Sequence, residues 1–161
     1  MRKTIHLPRC KTEWRQICAI LPAYLPDGAN GTIILYLDGT REEIPNRLCW
    51  VLDDLLGYLK SSTAILMKQS RRILGRTARR VPLVLNREFC LVPVKGREVT
   101  SRCDGATGYA VLRHVQKLIT GETGSRILFN GGTSLNVYDN PRVLLDKIGQ
   151  AGTLLEQIEA V

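Results

Sequence analysis

The apolar positions of the chain change period several times, and each change marks an element. In "GTIILYLDGTREEIP" a β-branched run, Thr32 to Leu37, stops at Asp38-Gly39 and gives way to a short alternating segment, which predicts a strand, a tight turn and a return strand. Beyond Pro45 the period lengthens. Leu48, Val51, Leu52, Leu55, Leu56 and Leu59 recur at helical spacing and form one stripe of an amphipathic α-helix, with Asp53, Asp54 and Lys60 off the stripe and Asn46 placed as N-cap. Ser61-Ser62-Thr63 interrupts that helix, and Ala64 to Gly75 fits both a second short helix and an extended segment.

The next stretch, "VPLVLNREFCLVPV", Val81 to Val94, has the makeup of two buried strands around Asn86-Arg87, with Pro82 and Pro93 at the outer ends. Lys95 to Gly108 is polar, basic and glycine-rich, as an exposed loop would be. Tyr109 to Ile119 alternates as one strand, with Val111, Arg113, Val115 and Lys117 on one face; a helix is the rival assignment. "SRILFNGGTSLNVYDNP" is a hairpin turning at Asn130-Gly131-Gly132. Val143, Leu144, Ile148, Leu154, Leu155 and Ile158 predict a closing helix capped by Asn140 with Pro141 in its first turn, weakened by Gly149 and Gly152. The class that results is α+β, a mainly antiparallel sheet with a central amphipathic helix and a C-terminal helix, in one domain over residues 1–161.

Composition adds little until charge is mapped. With 44% apolar and 24% charged residues the chain belongs with globular domains rather than disordered ones. The formal net charge is +8, and all of it falls between residues 68 and 102, where ten basic side chains (Lys68, Arg71, Arg72, Arg76, Arg79, Arg80, Arg87, Lys95, Arg97, Arg102) face only Glu88 and Glu98. So concentrated an excess makes a directed field that captures polyanions, double-stranded DNA first among them. Five of the six cations in "KQSRRILGRTARR" are arginines, whose forked guanidinium suits phosphates and narrow minor grooves. A membrane surface is a poorer match, since only Ile73 and Leu74 supply bulk opposite the charges.

Other chemistry is scarce. Cys10, Cys18, Cys49, Cys90 and Cys103 are odd in number and contain no C-x-x-C pair, which predicts reduced thiols rather than a disulfide framework or zinc ribbon. His6 and His114 lack metal-ligand spacing, Asp53-Asp54 point apart on a helix, no phosphate-binding glycine loop is present, and a Cys103–His114 pair would have nothing to orient the imidazole. A helix-turn-helix finds no clean recognition period. The expectation is a protein without cofactor, metal or catalytic function. Pro8, Arg9, Lys11, Glu13 and Arg15 break up any signal-peptide core near the N-terminus, and no apolar run approaches bilayer length, so a cytoplasmic, nucleoid-associated location is expected.

In order, "GYLKSSTAILMKQSRRILGR", "RRVPLVLNREFCLVPVK", "SRCDGATGYAVLRHV" and "ILFNGGTSLNVYDNPRVLLDKIGQA" resemble the ComK competence transcription factor family over roughly residues 30–155, through Arg76, Arg80-Val81-Pro82-Leu83, Phe89 to Pro93, Cys103, Phe129-Asn130-Gly131 and Gln150. The resemblance implies a bacterial activator of DNA-uptake genes that binds A/T-rich boxes largely through the minor groove, as a dimer or higher homo-oligomer, with RNA polymerase as a further partner. It carries over Arg76 and Arg80; charge alone nominates Arg71, Arg72, Arg79, Lys95, Arg97 and Arg102, with Arg113 and Lys117 a second set. The alternative is a non-catalytic RNA-binding or protein-interaction domain using the same patch.

Overall fold

The computed structural model describes residues 7–98 and 105–159, so His6, Arg102 and Cys103 lie outside the described residues. A four-residue helix, α1 (Arg9–Thr12), and a single 3-10 turn lead into β1 (Ile17–Tyr24). β2 (Asn30–Tyr36) and β3 (Arg41–Ile44) form the expected hairpin about Asp38-Gly39. Then come α2 (Leu48–Tyr58), α3 (Thr63–Leu74), β4 (Leu83–Val84), β5 (Cys90–Lys95), β6 (Thr107–Val111), β7 (Val115–Thr120), β8 (Ser125–Phe129), β9 (Ser134–Val137) and α4 (Pro141–Glu159). Six strands make an antiparallel sheet in the order β3-β2-β1-β6-β5-β4, and three make a second, β7-β8-β9. The class is α+β, with a C-terminal helix.

The large sheet is covered on both sides, and its strands divide their side chains between two cores. Ile20, Ile34, Tyr36, Leu91 and Tyr109 face Leu52, Leu55 and Leu56 of α2 and Leu66 of α3. Ala19, Leu35, Val92 and Ala110 face Ile127 and Phe129 of the small sheet and Leu144, Ala151 and Leu154 of α4. Double coverage explains why β1 escapes the sequence pattern: in "ICAILPAY" six consecutive residues are buried, so no polar alternation marks the strand. Pro22 sits within it, paired with Thr32 of β2 but beyond the stretch paired with β6. There β6 comes close through Gly108, where a Cβ would lie 2.8 Å from the Ile20 carbonyl oxygen.

Several expectations are corrected. Arg47, not Asn46, is the N-cap of α2 and makes no side-chain cap, while the Asn46 carbonyl accepts from the Thr32 hydroxyl at 2.8 Å. The open segment 64–75 is helical because its interruption is a cap: Ser62 Oγ accepts from the Ile65 N–H and Asp53 Oδ1 from the Thr63 N–H, both at 3.2 Å. Ser62→Ala should therefore cost about 1 kcal/mol in urea unfolding, and a loss below about 0.3 kcal/mol would mean that the cap does not hold α3. Pro93 lies inside β5, not at an outer end, opposite Tyr109 and past the two residues that pair with β4.

The single strand expected over 109–119 is two strands in different sheets, split by a 3-10 turn at Leu112–His114. The ring Nε2 of buried His114 lies 2.8 Å from the Arg15 carbonyl oxygen, and its own carbonyl accepts the Asn130 N–H, which ties the corner to both sheets. A period of two is blind to a change of partner. The hairpin at Asn130-Gly131-Gly132 and the cap of α4 are as expected: Gly131 and Gly132 have φ of +87° and +97°, and Asn140 Oδ1 accepts the Val143 N–H at 2.9 Å.

Cys10, Cys18, Cys49 and Cys90 are free thiols, and all but Cys49 are buried. Burial pushes the Cys10 thiol up to about 11 and those of Cys18 and Cys90 up to about 12, from an ordinary value of 9.0. The Tyr36 hydroxyl is raised too, first by burial and then by its hydrogen bond to Glu42. The folded chain keeps protons that the unfolded chain releases, so this stability is complete below pH 9.0 and lost as pH rises through about 11 to 12. The urea midpoint is expected to fall steadily above pH 9.0. A flat profile would place these thiols at ordinary values.

Candidate nucleic-acid interface

The basic segment is presented by α3 and the loop after it. Leu66 and Ser70 mark the buried side of α3, and Ser70 donates to the Pro82 carbonyl at 2.5 Å, anchoring the helix to the entry of β4. Lys68, Arg71 and Arg72, three and four residues apart, share another side of the helix. Gly75 ends the helix with φ of +121°, and Arg76 follows it. Together Lys68, Arg71, Arg72 and Arg76 line an open hollow of about 650 Å³ whose remaining lining is Ala64 and Met67. Among the described residues no carboxylate lies within ion-pair distance of these four cations. Arg71 is partly engaged: its Nε donates to the Ala78 carbonyl at 3.2 Å, which folds the loop back on the helix.

The other nominated residues have different surroundings. Arg79 is exposed, and its carbonyl accepts from Lys147 of α4 at 3.3 Å. Arg80 adopts φ of 51° and reaches Oδ2 of Asp139 at 3.4 Å, a carboxylate only 3% exposed. The same carboxylate accepts the N–H of Lys95, whose side chain is exposed. Arg97 corrects the expectation of an exposed loop: it is 9% exposed, donates through Nε to the Gly105 carbonyl at 2.7 Å and stacks its guanidinium 4.3 Å above the Tyr24 ring. Arg102 lies outside the described residues. Arg113 is 3.8 Å from Glu88, which also holds Arg15 at 2.7 Å, so it belongs to a mixed-charge cluster apart from α3. Lys117 is exposed on β7 of the small sheet.

The structure thus brings Arg71, Arg72 and Arg76 together with Lys68 and sets Arg97 and Arg113 elsewhere. It adds Lys147, whose ammonium is held below its usual range first by burial and then by the charge of Arg80. No sequence signal pointed to Lys147, since it reaches Arg79 only because α4 packs back across the fold. Two consecutive helices joined by the four residues 59–62 stand where the sequence shows no clean recognition-helix period, with Lys68, Arg71 and Arg72 on the second helix. Among the described residues no helix is long and apolar enough to cross a membrane. No protein-family model, curated protein or solved structure matches the chain.

Proposed function

We propose that the protein binds double-stranded DNA through α3 and the loop that follows, and that it acts as a transcriptional regulator of the kind implied by the resemblance to ComK. The observation that carries the reading is the hollow lined by Lys68, Arg71, Arg72 and Arg76, none of which has a carboxylate partner among the described residues. Lys68 and Arg72 on the helix supply phosphate contacts, which fix register and orientation. Arg76 and Arg79, on the exposed loop beyond Gly75, are the side chains to insert into a narrow A/T-rich minor groove, where the negative potential is strongest. Each neutralised phosphate releases counterions, so binding should weaken with salt at a slope of about −0.9 per contact.

The experiment is a gel-shift titration of A/T-rich and G/C-rich duplexes of equal length over a salt series, with netropsin as a minor-groove competitor. Tighter binding to the A/T duplex, abolished by netropsin, is the expected result. Equal affinity for both duplexes and for single-stranded RNA would replace it with non-specific polyanion binding. No retention at low salt would leave a surface for an acidic protein partner.

A further inference from the structure

The turn between α2 and α3 is short and fully bonded, so α2 fixes how α3 is presented. Lys60 takes φ of 63°, the left-handed conformation that usually falls to glycine at the end of a helix, and its N–H donates to the Gly57 carbonyl at 3.0 Å. The Ser61 N–H reaches back to the Leu56 carbonyl at 2.8 Å. Asp53 then takes the Thr63 N–H and Ser62 caps the first turn of α3. Two helices joined by a turn of this length are the parts of a helix-turn-helix, whose second helix is the one offered to DNA.

The outward face of α3 is not only cationic. Away from buried Leu66 and Ser70, exposed Ile65, Lys68, Gln69 and Arg72 recur at i, i+3, i+4 and i+7, which puts them on one side of the helix. Ile65 is 53% exposed, and α3 carries no acidic residue. Phosphate contact accounts for Lys68 and Arg72 but for neither Ile65 nor Gln69. A helix with its side chains, about 10 Å across, cannot enter a minor groove about 6 Å wide, but it fits a major groove about 12 Å wide. There an A·T pair offers adenine N6 and N7 to a side-chain amide and the thymine methyl to an apolar side chain.

We propose that the first two turns of α3 lie in the major groove and read A·T pairs, Gln69 by paired hydrogen bonds to adenine and Ile65 by covering a thymine methyl. The inference rests on the DNA-binding reading and adds base recognition to it. Lys68 and Arg72 hold phosphates at the groove walls, while Arg76 and Arg79, beyond the end of the helix, keep the adjacent minor groove, as in other helix-plus-arm DNA binders.

The test is a gel-shift titration of the full chain on an A/T-rich duplex and on the same duplex with every thymine replaced by deoxyuridine, which removes the major-groove methyl and leaves the minor-groove acceptors in place. The parent protein should bind the deoxyuridine duplex at least about fourfold more weakly, the worth of one buried methyl group. Ile65→Ala should bind both duplexes alike, and Gln69→Ala should lose about fivefold of the preference for the A/T over the G/C duplex. Both positions are exposed, so the urea midpoints should stay with the parent's. A merely structural role for Ile65 would not erase sensitivity to a thymine methyl. A parent that binds both duplexes equally, an Ile65→Ala variant that keeps the parent's loss, or a Gln69→Ala variant with the full preference would each overturn the proposal while leaving DNA binding in place. Absence of binding to any duplex would instead overturn the DNA reading, and this inference with it.

Discussion

Arg72→Ala combined with Arg76→Ala is expected to lower affinity for an A/T-rich duplex roughly thirtyfold at about 0.15 M salt, because counterion release at that concentration is worth about fivefold per phosphate contact. The log–log salt slope should flatten by about 1.8 in the same variant. Both side chains are exposed and neither takes part in an ion pair or hydrogen bond with another described residue, so the folded state loses little. Surface substitutions of that kind usually stay within about 0.5 kcal/mol. Arg71 is a poor choice for the pair, since its bond to the Ala78 carbonyl shapes the loop and its loss would mix geometry with charge. The measurement is the gel-shift salt series run on parent and variant, with urea unfolding as control. Unchanged affinity and slope in a folded double variant would remove the α3 hollow from the interface.

Asp139→Ala should cost about 3 kcal/mol of folding stability, within the range seen when one partner of a buried charged pair is deleted. The carboxylate accepts from the Lys95 N–H and from Arg80, and the backbone carbonyl of Asp139 accepts the buried Ser125 hydroxyl at 2.7 Å. It stands where β5, the end of β9 and the start of α4 meet. Removing it strands a main-chain donor and leaves Arg80 without its counter-charge. The Arg80 side chain is 37% exposed, so solvent takes up much of its loss, and Arg80→Ala should cost only about 1 kcal/mol. The resemblance to ComK puts Arg80 at the DNA, whereas its engagement with Asp139 predicts that Arg80→Ala changes stability more than affinity. Urea unfolding of both variants beside their gel shifts separates the two roles. An Asp139→Ala loss below about 1 kcal/mol would show that the carboxylate is not a structural tie.

Much of the fold is legible in the chain because its determinants are local. Asn130-Gly131-Gly132 supplies positive φ within three residues, Asn140 caps α4 from the adjacent position, and the stripe from Leu48 to Leu59 needs only the helical period. β1 is not legible, since a strand buried on both faces carries no alternation and shares its composition with a buried helix. The helix over Thr63–Leu74 rests on a cap at Ser62 and an acceptor from α2, Asp53, of which only the first is adjacent in sequence.

The candidate site divides in the same way. By itself the sequence determined that the charge surplus is local, rich in arginine and carried by residues 68–102, because charge and spacing belong to consecutive residues. Tertiary structure alone decided which of those arginines remain available. Arg72 and Arg76 lie open beside Lys68, Arg80 is answered by a carboxylate 59 residues away, and Arg97 is folded inward over Tyr24. Neutralisation and burial depend on groups that meet only when the two sheets and α4 pack together, and no pattern along the chain records that meeting.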